Sequence, residues 1–357
     1  MTKKKVGILT FHRTTNFGSL LQTYGLFKKI ENLGYNCEII DYRCPAVEKR
    51  ENLNTSINFF NIKSLIKYFL FQKTINKKGD KLKEFLNNNM KISSSFFPGE
   101  MSKAENQYDK IIVGSDIVWG RDITENDYTY FLDFVEDKEK KYAFASSVGD
   151  YKIRGDETYL SKLFKSFKKI AIREEETIKW MEHLSQITPE LVCDPTMLLT
   201  AEEWLNIINP KQILKKYVFV YFNSDNNKCL EDAIKYAKIH NLKVAYINYG
   251  LPIRGVINVK PISLEEFLGF IYYSDIIFTA SYHGLLFSLY FNKEFLFYTR
   301  AHKARMLSLA KKLEIMTNCG DNFNPENYIP IEYKKVNNAV YKFREKSIKV
   351  LNEMLTE

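Results

Sequence analysis

The chain reads as an α/β protein made of two Rossmann-like domains facing across a cleft, closed by a long terminal helix. Three observations predict this. Short apolar runs of strand length alternate with amphipathic segments along most of the sequence, the pattern of strand–helix–strand units with parallel pairing. The alternation comes in two series, separated between Ala201 and Lys216 by a short helix (AEEWLNII), an Asn-Pro pair and a basic stretch. A length of 357 residues also exceeds what one ordinary core organises. The domains are expected at 1–205, with a helical insertion at about 45–103, and at 216–325. Residues 326–357 form a helix expected to pack back on the N-terminal domain.

The elements follow in order. Lys5 to Phe11 is a strand, His12 to Gly18 a loop, and Ser19 to Asn32 an amphipathic helix stopped by Gly34. Asn36 to Asp41 completes a βαβ unit. Arg43 to Ser102 is rich in Lys and Asn and less regular, with helical character from Ser64 to Met90 and mobile connections. Strands resume at Asp109 to Val113, Lys141 to Ser147 and Lys169 to Ile172, with a short one at Glu190 to Cys193. In the second series the strands are Tyr217 to Asn223, Leu242 to Tyr249, Asp275 to Ala280 and Glu294 to Tyr298. Its helices are Leu230 to His240, Ser263 to Tyr273 with a capping pair Ser263/Glu266, the run after His283, and Lys303 to Leu313. Ile331 to Leu355 is the terminal amphipathic helix.

Hydrophobic residues make up 45% and charged residues 27%, the soluble globular range. A formal net charge of +9 suits anionic partners such as phosphorylated small molecules, nucleotide sugars or a membrane surface. Nucleic acid is set aside, because the lysines are spread along the chain without a nucleic-acid-binding motif. Five scattered cysteines lack metal-ligand or disulfide-framework spacing, so no metal site is expected. The apolar stretch Val6 to Phe11 runs into His12 and Arg13 without a small-residue cleavage site, and fits a first strand better than a signal peptide. The longest apolar run, near Ile276 to Phe291, is too short to span a bilayer. A cytoplasmic protein is expected, with peripheral contact at the inner membrane face.

The chemistry-bearing residues collect at strand ends. Ser281-Tyr282-His283-Gly284 joins a buried strand to a buried helix, at the edge where open α/β sheets bind ligands, and a histidine there can exchange a proton near neutral pH. A capping serine with a structural histidine is the competing reading. Thr14 to Ser19 fills the first β-to-α turn, where Gly18 permits close backbone approach and the helix start offers N–H groups to an anion; a tight turn capped by Ser19 is the alternative. Neither a dinucleotide fingerprint nor a P-loop is present. Gly114-Ser115-Asp116 and Ser146-Ser147-Gly149 repeat the small-residue turn at two further strand ends, which favours a shared cleft, though Asp116 fits a cap as well as a ligand. Arg173 suits bidentate binding of carboxylate or phosphate, or pairing with Glu174, Glu175 and Glu176. Asp194 is expected to organise the domain junction. Arg305, with Arg300 and His302 nearby, follows the strand next after His283, and reads either as an anion site or as a solvated helix start.

GILTFHRTTNFGSLLQTYGL, IIVGSDIVW, FASSVG, AIREEET, VCDPTMLL followed by Trp204, and SDIIFTASYHGLLFSLYFNKEFLFY occur in that order. The ordered set resembles the polysaccharide pyruvyl transferase family from about Gly7 to about Leu313, leaving out much of Arg43 to Ser102. The resemblance implies a GT-B-like fold and transfer of the enolpyruvyl unit of phosphoenolpyruvate (PEP) to two hydroxyls of a sugar, giving a pyruvate ketal and phosphate. It implies His283 as the acid/base and Arg173 and Arg305 as PEP-binding cations, with Ser281 and Gly284 beside them. Asn16, Gly18, Ser115, Asp116 and Ser147 become cleft or acceptor candidates. No cofactor or metal is implied, PEP being the donor. The acceptor, whether sugar, nucleotide sugar or lipid-linked saccharide, stays open, and the 43–102 region is the candidate acceptor-binding lid. One departure stands out: many relatives carry a basic residue shortly before the histidine, where this chain has Ser281-Tyr282. A GT-B glycosyltransferase using a nucleotide sugar and a non-catalytic glycan-binding protein are the rival readings.

Overall fold

The structure, a computed structural model, describes residues 4–51, 72–149, 155–222, 227–299, 303–322 and 328–357. It divides into two compact units, the first comprising 1–52, 83–199 and 341–357 and the second 53–82 and 200–340.

The first unit holds a seven-stranded sheet of β1 (Lys5–Leu9), β2 (Asn36–Tyr42), β3 (Ile92–Phe96), β4 (Lys110–Val113), β5 (Lys141–Ser146), β6 (Lys169–Ile172) and β7 (Glu190–Leu191). Their spatial order is β3-β2-β1-β4-β5-β6-β7 and every pairing is parallel. Parallel strands need crossovers, and helices laid over both faces bury them, so the central strands are near-continuous apolar runs. Val6, Ile8, Leu9, Ile111, Ile112 and Val113 are all buried, with Ile8 registered against both Ile39 and Ile112.

The second unit repeats the plan with β8 (Tyr217–Tyr221), β9 (Lys243–Ile247), β10 (Ile257–Val259), β11 (Ile276–Thr279) and β12 (Glu294–Phe297). The order is β10-β9-β8-β11-β12, again all parallel. Val218, Val220, Phe278 and Leu296 form its core with Cys229 and Ala233 from the Asn227–Ile239 helix. In both sheets the strand order reverses once, between β1 and β4 and between β8 and β11. Those switch points open crevices at the carboxyl ends of the strands.

Several expectations are corrected. The first helix is Phe17–Asn32, starting two residues before Ser19, because the Asn16 side chain accepts from Gly18 N and caps it. β3 and β10 are strands that the sequence reading passed over. β3 is an edge strand with exposed serines and no apolar run, and β10 has three residues, so neither carries a strand-like pattern. β3 also brings part of the expected helical insertion into the sheet. Of that insertion, 52–71 lie outside the described residues, while Lys73–Asn89 is helical. The terminal helix is Tyr333–Thr356. Within the first unit its Ser347 Oγ accepts from Cys193 N at 2.8 Å, Arg344 Nε donates to the Met197 carbonyl at 2.6 Å, and Glu353 pairs with Lys169. Among the described residues no helix is long and apolar enough to cross a membrane.

Candidate active site

The first unit gathers Asn16, Gly18, Ser115, Asp116, Ser147 and Arg173 along one sheet edge. Asn16 spends its side chain on the helix cap. Ser19, freed from capping, donates its hydroxyl to Asp116 Oδ2. Asp116 Oδ1 accepts from Ile117 N at 2.8 Å, and its carbonyl accepts from Ser147 N at 3.1 Å. The residue holds φ of +80°, a conformation L side chains adopt rarely and one that clusters at functional turns. Ser147 Oγ in turn accepts from Gly149 N at 3.1 Å. Three strand ends, β1, β4 and β5, are thus tied into one hydrogen-bonded rim at the switch point.

Arg173 lies deeper than expected. Its side chain is 1% exposed, and Nη1 donates to Ser115 Oγ at 2.8 Å and to Asp194 Oδ2 at 2.7 Å, while Nε donates to Glu174 Oε1 at 3.0 Å. A buried charge needs such compensation. Asp194 Oδ1 accepts from Thr196 N and Thr196 Oγ1, so both its oxygens are engaged inside the first unit. The turn it organises lies under the first helix: a Cβ on Gly25 would stand 2.5 Å from the Pro195 carbonyl oxygen.

A second charged group, which the sequence reading missed, closes the ends of β1 and β2. Asp41 is 2% exposed and accepts from Arg13 Nε and Nη2, both at 2.6 Å, from His12 Nε2 at 2.9 Å and from Ser95 Oγ at 2.6 Å. Burial raises its pKa, but the hydrogen bonds from Arg13, His12 and Ser95 outweigh that and hold the carboxyl far below its ordinary range. Arg13 is raised in turn, chiefly by its hydrogen bond to Asp41. His12 Nδ1 faces the Thr10 carbonyl at 3.0 Å, so both ring nitrogens stand against oxygen partners. The available signal was a charged residue at the end of each of two apolar strands.

In the second unit the Ser281–Gly284 turn follows β11. Thr279 Oγ1 donates to the Tyr221 carbonyl at 2.6 Å and accepts from Ser281 N at 3.0 Å, which pins the turn across the β8/β11 switch point. Ser281 caps the Tyr282–Tyr290 helix through Gly284 N, so His283 stands within the first helical turn, one turn earlier than the sequence reading placed the helix. Gly284 has no room for a side chain: a Cβ would stand 2.4 Å from Thr279 Oγ1 and 3.1 Å from the Tyr221 ring. Tyr282 is buried, its ring set edge-on to His283 with centroids 5.6 Å apart. The Arg305 guanidinium, from the Lys303–Lys312 helix, lies 5.0 Å from the Tyr282 ring centroid. The structure therefore sets Arg305 and His283 each against the Tyr282 ring at a helix N-terminus. Arg300 and His302 fall outside the described residues.

The cysteines offer no competing nucleophile. Burial pushes the Cys44 thiol up to about 11 and Cys193 up to about 12, and it also raises Cys37, Cys229 and Cys319.

Residues 16–302 match the family model described as polysaccharide pyruvyl transferase. The chain belongs to that family. No curated protein matches it. Among solved structures, UDP-GlcNAc 2-epimerase from Neisseria meningitidis bound to UDP-GlcNAc is similar with a TM-score of 0.51 at 10% identity, covering 99% of each chain. UDP-GlcNAc 2-epimerase from Methanocaldococcus jannaschii, in complex with UDP-GlcNAc and UDP, gives 0.48 at 12% identity over 99% of each chain. The glycosyltransferase SnogD from Streptomyces nogalater gives 0.42 at 10% identity, covering 99% of this chain and 100% of that one. At such identity the Neisseria likeness is one of fold alone, the α/β, GT-B-like architecture of the pyruvyl transferase chain.

Proposed function

We propose that this pyruvyl transferase uses PEP as donor and forms a pyruvate ketal on two hydroxyls of a sugar acceptor. The observation that carries the reading is the pair Arg305 and His283, each set against the Tyr282 ring at the start of a helix on the β8/β11 switch point. A proton delivered by His283 to the methylene carbon of PEP turns it into a methyl group and leaves an oxocarbenium-like centre at C2. A sugar hydroxyl bonds to C2 and gives its proton to the His283 imidazole, which restores the acid, the C2–O bond to phosphate breaks, and the second hydroxyl closes the ketal. The second hydroxyl's proton leaves on phosphate. Arg305, with the helix N-terminus beside it, holds the anionic donor.

Arg173 takes a different part in this scheme from the one expected of it. Enclosed by Glu174, Asp194 and Ser115, it braces the β4 turn rather than meeting PEP first. Asn16, Gly18, Ser115, Asp116 and Ser147 form the rim proposed for the acceptor.

The test is phosphate release from PEP with a panel of saccharides, nucleotide sugars and lipid-linked saccharides, for the native chain and His283→Ala. The variant is expected to lose about 10²–10⁴-fold. Undiminished turnover removes His283 from proton transfer. Thermal stabilisation by UDP- or GDP-sugars but not by PEP favours a nucleotide-sugar glycosyltransferase instead.

A further inference from the structure

An aliphatic loop tip stands on the second unit, at the same carboxyl edge of its sheet as the Ser281–Gly284 turn. The loop joins β9 to β10 at the carboxyl end of β9. Leu251 is 74% exposed and Ile253 39%, with Pro252, Arg254 and Gly255 exposed beside them. Loops normally turn polar groups outward; here two asparagines satisfy the backbone from within. Asn248 Nδ2 donates to the Leu251 carbonyl at 2.7 Å and to Asn258 Oδ1 at 2.9 Å, and Asn248 Oδ1 accepts from Gly250 N at 2.8 Å. Asn258 Oδ1 accepts from Ile253 N at 3.0 Å, and its Nδ2 donates to the carbonyls of Ile253 at 2.8 Å and Val256 at 3.2 Å. The tip's backbone is braced, so it loses less conformational freedom on contact than an unbraced loop would.

A basic surface adjoins it. Lys78 Nζ lies 4.8 Å from the centroid of the Tyr249 ring, which sets the Lys73–Asn89 helix against the base of the loop. On that helix Lys73, Lys77 and Lys81 are exposed and recur at four-residue spacing, so they share one face. Aliphatic side chains bordered by lysines make up the composition of a surface that lies in a lipid headgroup boundary.

We propose that the 248–258 loop and the Lys73–Lys77–Lys81 stripe form an interfacial site for an anionic lipid bilayer, the tip entering the headgroup boundary while the lysines meet anionic lipid. Charge complementarity favours this occupant over a second copy of the chain. Two aliphatic residues fall well short of the roughly 800 Å² per partner of a stable interface, and two like lysine stripes repel.

Cosedimentation with vesicles of phosphatidylcholine, alone or mixed with phosphatidylglycerol, tests the site without any catalytic readout, so its failure and that of the proposed chemistry are distinguishable. The native chain is expected to prefer the mixed vesicles. L251N/I253N is expected to weaken that binding about tenfold or more, and K73A/K77A/K81A on the order of a hundredfold at low salt, at about 1 kcal/mol per lysine. All five positions are exposed, so thermal unfolding should match the native chain, and Leu251→Trp should show blue-shifted emission on the mixed vesicles. Equal binding to both vesicles, or a tip variant that binds like the native chain, overturns the proposal. So does a vesicle-free dimer that L251N/I253N dissociates.

Discussion

Replacing Tyr282 with leucine tests how the contacts beside His283 work. The Arg305 guanidinium lies 5.0 Å from the Tyr282 ring centroid, inside the range of a cation–π attraction, over a ring that is itself buried. Exposed pairs of this kind are worth about 0.5–1 kcal/mol and desolvated ones about 2 kcal/mol, so a partly exposed arginine over a buried ring should gain about 1 kcal/mol. Tyr282→Leu removes that attraction and lets Arg305 wander, which should weaken PEP binding about fivefold, while Tyr282→Phe keeps the ring and should stay near the native value. Arg305→Ala removes the charge-assisted hydrogen bonds proposed to hold PEP, worth about 1.5–3 kcal/mol, and should cost roughly ten- to a hundredfold. The informative assay is a double-mutant cycle read by calorimetry with PEP. If Tyr282 acts through Arg305, the leucine change has little further effect once Arg305 is alanine. A leucine effect as large in that background as in the native chain would refute the reasoning.

Three other outcomes follow from the packing. Asp41→Asn removes the acceptor shared by Arg13, His12 and Ser95, and should destabilise the fold by about 3 kcal/mol at pH 7, as loss of one partner of a buried pair does. Because the folded-state pKa of Asp41 lies below the unfolded one, its contribution is present above about pH 4 and lost as pH falls further; thermal melts of native and variant chains should converge in acid, and a constant gap would point to packing instead. Gly284→Ala drives a methyl group against a Thr279 hydroxyl fixed by two hydrogen bonds, so the urea midpoint should fall by the equivalent of about 1–3 kcal/mol, and an unchanged midpoint would show that the turn yields. Arg173→Lys replaces a fork serving three acceptors with a single ammonium, and should lower the melting temperature more than it lowers PEP affinity. The opposite ranking would make Arg173 a direct ligand.

The alternation of apolar runs was enough to place the central strands, since a parallel strand covered on both faces must be apolar throughout and Ile8, Ile112 and Phe278 have no other place to go. It failed at β3 and β10, edge strands whose serines and short span relieve them of that demand. The same logic governs the site. Short local rules put His283, Ser115 and Asp116 at strand ends, because a strand-to-helix turn is written in neighbouring residues. What each side chain does there depends on partners far away in the sequence. Asp41 joins His12 and Arg13 only because β1 and β2 are adjacent, and Arg173 is enclosed only because β4, β6 and the Asp194 turn converge. Tyr282 looked like a lost charge until the tertiary structure laid Arg305 across its ring, a pairing of positions 282 and 305 that no local pattern encodes. The sequence by itself placed His283, Ser115 and Asp116 at the carboxyl edge of the sheets, since strand ends are local; the tertiary structure alone decided their charge partners and brought in the Asp41 group, since those are set by strand order.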